Sequence, residues 1–163
     1  MKVLGIDPGT AACGYGLVHE SEGRLRAIDY GVWRTPARER LELRLKTIFE
    51  GVDGLIEQHA PDAVVLEESF VGADARTALS VGQARGAVLV ACGRGGVEAA
   101  EYAPNRVKQM ICGYGHADKT QVQRMVKVVL GLAEPPTPNH AADALAVAIC
   151  HVLAPPLLKA ATA

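Results

Sequence analysis

The period of apolar positions changes several times along the chain, and each change marks an element. Val3–Asp7 is a short β-rich run that ends at the breaker pair Pro8-Gly9. Cys13–His19 alternates small and large residues through Gly14, Tyr15, Gly16, Leu17 and Val18, the pattern of a strand with close backbone neighbours. Ser21-Glu22-Gly23-Arg24 supplies a turn, and Leu25–Trp33 reads as a third strand. Strands this close together, joined by short turns, make an antiparallel meander. The period then lengthens. Thr35-Pro36 reads as a helix start, a capping hydroxyl followed by Pro at the first helical position. Beyond it Leu41, Leu45, Ile48, Val52 and Leu55 recur at helical spacing, widened by Phe49 and Ile56. Arg38, Arg40, Glu42, Lys46, Glu50, Asp53 and Glu57 fill the other faces, so the pattern predicts an amphipathic helix of about 20 residues.

After Pro61-Asp62, the continuous apolar run Ala63-Val64-Val65-Leu66 suits a strand buried on both faces, and it ends in Glu67-Glu68. Thr77–Cys92 is an Ala- and Gly-rich helix stopped by Gly93-Arg94-Gly95-Gly96. A strand near Val97–Tyr102 and a short helix near Asn105–Cys112 follow. Asp118-Lys119-Thr120-Gln121 opens a helix with a capping box and Gly131 closes it. Pro135-Pro136-Thr137-Pro138 is a stiff connector, and Asn139 caps a last helix reaching about Leu153. Hairpins mixed with crossover helices predict an α/β domain: one mixed sheet flanked by helices.

Composition narrows the class. A chain of 163 residues, 49% hydrophobic and 21% charged, is one ordinary globular domain that folds without a disulfide or metal staple. Residues 1–154 are read as that domain and 155–163 as a mobile tail. The longest apolar stretches fall short of the ~20 residues of a membrane span. The start reaches Asp7 too soon for a signal-peptide core. Cys13, Cys92, Cys112 and Cys150 are scattered, with no CxxC spacing, and read as reduced, mostly buried thiols in a cytoplasmic protein. Lys and Arg number 17 against 18 Asp and Glu. That balance argues against a protein that coats nucleic acid through a global positive field. It leaves room for a nucleic-acid enzyme with clustered carboxylates and a local basic rim.

Acidic residues at element ends carry the candidate chemistry. Asp7 and Glu67 each end a strand, where groups converge on a ligand-binding crevice. His140 and Asp143, three apart on the last helix, share a face. Together they form a hard-donor cluster suited to divalent metals. Singly, each has a bland alternative: a turn-forming Asp, a solvated glutamate pair, an exposed histidine.

The full set of motifs carries a resemblance. Gly5-Ile6-Asp7-Pro8-Gly9-Thr10, Val65-Leu66-Glu67-Glu68-Ser69-Phe70, Gly82-Gln83-Ala84-Arg85-Gly86-Ala87, Val107-Lys108-Gln109 and His140-Ala141-Ala142-Asp143-Ala144-Leu145-Ala146 occur in order. Together they resemble the RuvC family of bacterial Holliday junction resolvases from about Lys2 to Val152. The first motif is shared with actin-like ATPases, but those need two such domains and the chain is too short for both.

The resemblance implies a ribonuclease H-like fold, its sheet of about five strands with the first three antiparallel. It implies a homodimer that resolves four-way DNA junctions in recombination and repair by paired symmetric nicks, leaving 5′-phosphate and 3′-hydroxyl ends. The family's metal site carries over to Asp7, Glu67, His140 and Asp143, with Mg²⁺ or Mn²⁺ as cofactor and two ions per site. Many family members have Asp where this chain has His140. Imidazole suits Mn²⁺ better than Mg²⁺, so Mn²⁺ is the expected preference, the alternative being that His140 is a general base or positions a phosphate. Lys119, also counted as catalytic, and Lys108 match family lysines near the cleaved strand. Arg76, Arg85 and Arg106 are read as an extension of the phosphate track. Phe70 matches a family aromatic that wedges against an unpaired base, where the residues alone read as a core aromatic. Gly82 and Gly86 permit close helix approach, and the family dimerises through this region; the sheet is the alternative partner. The RuvA and RuvB branch-migration proteins are further partners to consider, their docking left open. The competing readings are a ribonuclease H-like nuclease with another nucleic-acid substrate and a catalytically silent junction-binding module.

Overall fold

The computed structural model describes residues 1–68 and 75–155. Three antiparallel strands come first: β1 (Lys2–Asp7), β2 (Ala12–Ser21) and β3 (Arg24–Arg34). They are followed by α1 (Leu41–His59), β4 (Ala63–Glu67), α2 (Ala75–Gly95) and β5 (Glu98–Tyr102). Helices α3 (Pro104–Cys112), α4 (Lys119–Leu130) and α5 (Asn139–Leu153) complete the described chain. The sheet order is β3-β2-β1-β4-β5, with β4 parallel to both β1 and β5. This is the predicted mixed sheet, and its first three strands are the predicted meander.

Strand alternation divides the core into two layers. Val3, Val18, Ala63, Val65, Ala100 and Tyr102 pack against α3, α4 and α5. Leu4, Ile6, Cys13, Leu17, Val64 and Leu66 pack against α1 and α2 on the other face. Helix α5 is the most buried, Ala141 to His151 being almost wholly enclosed apart from Asp143. It lies directly on glycines: a Cβ on Gly5 would stand 2.0 Å from the Ala144 carbonyl oxygen, and one on Gly14 would stand 2.1 Å from that of His140. The small residues of β1 and β2 therefore set how close α5 sits, and with it His140 and Asp143.

Four local expectations are corrected. Helix α1 begins at Leu41, with Arg40 at its N-cap. Thr35 does not cap it, because its buried hydroxyl donates to the Thr10 carbonyl and accepts from Arg44 Nε at 3.0 Å. Asp53, assigned to the polar face, is 8% exposed and bound to Arg94 at 2.6 Å. Helix α2 runs through Gly93 to Gly95, and the break comes at Gly96, where φ is +64°. At the start of α5 the N-cap position belongs to Pro138, and Asn139 instead accepts from Gln123 Nε2 at 2.9 Å. The Asp118–Gln121 capping box and the Gly131 stop of α4 are present as expected. All four cysteines are free; burial pushes Cys13 and Cys150 up to about 12 and Cys92 to about 11. Among the described residues no helix is long and apolar enough to cross a membrane.

Candidate active site

Register builds the acidic site. Ile6 pairs with Leu66 across parallel strands, so Asp7 and Glu67 stand side by side at the carboxyl ends of β1 and β4, one strand spacing of ~4.8 Å apart. Alternation turns both toward the α5 face, in the rows Val3-Gly5-Asp7 and Ala63-Val65-Glu67. The first turn of α5 supplies His140 and Asp143 from above. His140 Nδ1 lies 2.6 Å from Asp7 Oδ2. An ionised carboxylate only accepts, so Nδ1 carries the proton in this contact and Nε2 is the nitrogen left over. Glu67 and Asp143 line a cavity of ≈ 180 Å³ together with Lys108 and Lys119.

These carboxylates are close enough to feel one another's charge. Burial raises the Glu67 pKa to about 7, the charges of Asp7 and Asp143 add to the rise, and Lys119 and Lys108 oppose it. Asp143 is also raised, by burial first; Lys119, at 3.5 Å, is the main opposing influence. Crowded, half-buried carboxylates with lysines at the rim are suited to a hard divalent cation, which lowers all of these costs at once. By residue type the donor set fits. In arrangement the four meet as pairs, Asp7 with His140 and Glu67 with Asp143, and among the described residues no three His, Cys, Asp or Glu side chains converge closely enough to hold one ion.

The other expected residues separate. Lys108 and Lys119 reach the site, from α3 and the first turn of α4. Arg85 does not stand on an open rim: 19% exposed, it is ion-paired with Glu101 of β5, and its Nη1 donates to the Glu67 carbonyl oxygen at 3.4 Å. It braces the end of β4 rather than extending a phosphate track. Arg76 is exposed in the first turn of α2. Arg106 is exposed on α3, and its charge reaches the thiol of Cys150, two turns beyond Asp143 on α5. Among the described residues nothing lies within 4 Å of a Cβ added at Gly82 or Gly86, so neither glycine faces the sheet. Phe70 lies outside the described residues, as do 156–163 of the tail.

Sequence reasoning missed the supports behind the site. Glu101, which pairs with Arg85, is a charged residue between Ala100 and Tyr102 in the interior of a sheet strand, and that was its one signal. Thr10 and Ser80, whose hydroxyls bond each other, tie the loop after Asp7 to α2. No local pattern marks them. A cleft of ≈ 720 Å³ lies at the opposite end of the sheet between the β2–β3 hairpin and the end of α4, and among the described residues no carboxylate lines it.

A mixed sheet in this order, with carboxylates ending β1 and β4 and a third descending from the helix packed across them, defines a ribonuclease H-like nuclease. Residues 3–151 match the family described as crossover junction endodeoxyribonuclease RuvC. The RuvC of Heliobacterium modesticaldum is 52% identical over 92% of this chain and 93% of its own. That of Syntrophomonas wolfei is 50% identical over 93% and 88%. The structure of T. thermophilus RuvC in complex with Holliday junction substrate superposes with a TM-score of 0.90 at 40% identity, over 94% of this chain and 93% of that one. The chain belongs to the RuvC family of crossover junction endodeoxyribonucleases. It is a nuclease that hydrolyses DNA phosphodiester bonds, and the family is divalent-metal-dependent.

Proposed function

We propose that this chain resolves four-way DNA junctions, two copies each nicking one of two strands of like polarity. The observation that carries the reading is the placing of Asp7 and Glu67 at adjacent carboxyl ends of β1 and β4, with Asp143 of α5 lining one cavity with Glu67, in a member of this family. Asp7, Glu67, Asp143 and His140 would hold the divalent ions, which neutralise the phosphodiester's charge and make water nucleophilic. Asp7 fixes the His140 tautomer through Nδ1, so that Nε2 presents its lone pair outward. Lys119 and Lys108 offset carboxylate charge at rest and can turn to a phosphate oxygen as charge develops on it.

Each copy has one site, so paired cleavage needs two. The outer face of α2 supports a homodimer: Leu79 and Val90 are 65% and 63% exposed beside Gly82 and Gly86, where no described residue lies within 4 Å of an added Cβ. Small residues at that spacing admit a second helix closely.

Nicking of a synthetic four-way junction, a linear duplex and an RNA–DNA hybrid tests the reading. Paired nicks, symmetric about the crossover and confined to the junction, are expected. Preferential cutting of the hybrid would move the chain to another ribonuclease H-like activity. Because imidazole is one of the donors, nicking at saturating Mn²⁺ is expected to exceed that at saturating Mg²⁺; equal rates would count against His140 as a ligand.

A further inference from the structure

Lys108 and Lys119 stand on one flank of the acidic site, on α3 and α4. The other flank is made by the end of β3 and the segment leading into α1, and it is basic as well: Arg34, Arg38, Arg40 and Arg44. Two of these are engaged within the fold. Arg44 donates to Thr35, and Arg40 pairs with Glu42. Arg34 and Arg38 are exposed, and neither side chain has an ion pair or hydrogen bond among the described residues.

Strand register gives Arg34 its direction. Asp7 pairs with Gly14, Gly14 with Val32, and Ala12 with Arg34. Directly paired residues share a face of the sheet, as do alternate residues of one strand. The face is the one covered by α5, since a Cβ on Gly14 would run into the His140 backbone. The only bulge between β2 and β3, at Leu17/Val18, lies outside this stretch and leaves the phase intact. Arg34 therefore leaves the sheet on the same side as Asp7. Two strand spacings across and one two-residue step along put their α-carbons about 12 Å apart.

We propose that Arg34, supported by Arg38, binds a DNA phosphate on the flank opposite Lys108 and Lys119, so that the cleaved strand is held on both sides of the acidic site. The proposal rests on the nuclease reading above and adds a second anchor to it. The physical need is clear: three clustered carboxylates repel a polyanion, and a strand held at one flank only is free to pivot away from them. A guanidinium grips phosphate through two parallel N–H bonds, fixing position as well as supplying charge.

The test measures junction affinity against salt, in an Asp7→Asn background so that no strand is cut. Each phosphate contact contributes about 0.9 to the slope of log K against log [salt]. Arg34→Ala is expected to make the slope shallower by about that amount, equally for junctions of different sequence, with an unchanged melting temperature. Arg34→Lys should keep the parent slope. Arg24→Ala, at the other end of the sheet, should also keep it. An unchanged slope in Arg34→Ala overturns the proposal, as does an equal loss in Arg24→Ala, which would make the effect one of overall charge. If the parent itself binds no junction, the resolvase reading fails, an outcome distinct from loss of this contact alone.

Discussion

Glu67 shows the stress built into the site. Its ordinary pKa of 4.5 rises to about 7 in the folded protein, through burial and the neighbouring charges of Asp7 and Asp143. The folded state therefore holds the proton more tightly than the unfolded chain. The penalty is absent below 4.5, grows as pH rises from there, and is complete above about 7. In the presence of chelator, Glu67→Gln is expected to be more stable than wild type at pH 8, by roughly 1–3 kcal/mol at ~1.4 kcal/mol per unit of pKa. The difference should shrink toward pH 5, as thermal melts at the two pH values would show. Lys119 is mostly exposed, so its pairing with Asp143 adds little to stability. Lys119→Ala should leave the melt unmoved while slowing single-turnover nicking by about 10²-fold, the scale for losing one donor aimed at developing charge. The acidic residues were legible because Asp7 and Glu67 each end a strand and Asp143 lies near the start of a helix, all on recognisable motifs. Arg85 was not, because its partner Glu101 lies on another element and only the fold brings them together.

At the scale of elements, what was readable was local. The strands of the meander, the capping box of α4 and its glycine stop follow from residues within a few positions of one another. Thr35 and Asn139 carry good capping chemistry, yet their side chains bond Thr10 and Gln123, distant partners that local propensity does not see. Asp53 is buried for the same reason, its partner Arg94 arriving from α2. The small residues under α5 were legible as close backbone neighbours, though what approached them was not. Gly14→Ala tests that packing. Its methyl would meet the His140 backbone, so α5 must lift, at a cost of about 1–3 kcal/mol. A thermal melt should fall by several degrees, and nicking should fall with it, since His140 moves away from Asp7. Asp118→Ala, which removes only the cap of α4, should cost about 1 kcal/mol.

For the whole molecule, the two faces of the sheet divide the labour: α5, α3 and α4 build the acidic site, while α2 presents an exposed apolar stripe. Gly86→Ala separates folding from association. Among the described residues of one copy the added methyl meets nothing within 4 Å, so the helix should gain up to about 1 kcal/mol from better propensity. Between two copies it fills the space a second helix needs. Sedimentation should therefore show weaker association in Gly86→Ala without loss of secondary structure, and Val90→Glu should be monomeric. Unchanged association in both would place the interface elsewhere. The most direct test of the account is nicking of a four-way junction by wild type and Asp7→Asn, each with Mg²⁺ and with Mn²⁺, with junction binding measured in parallel. The account predicts paired nicks near the crossover for wild type, and for Asp7→Asn no cleavage with either ion while binding persists. Asp7→Asn that still cuts, or wild type that binds and cuts with neither ion, would contradict it.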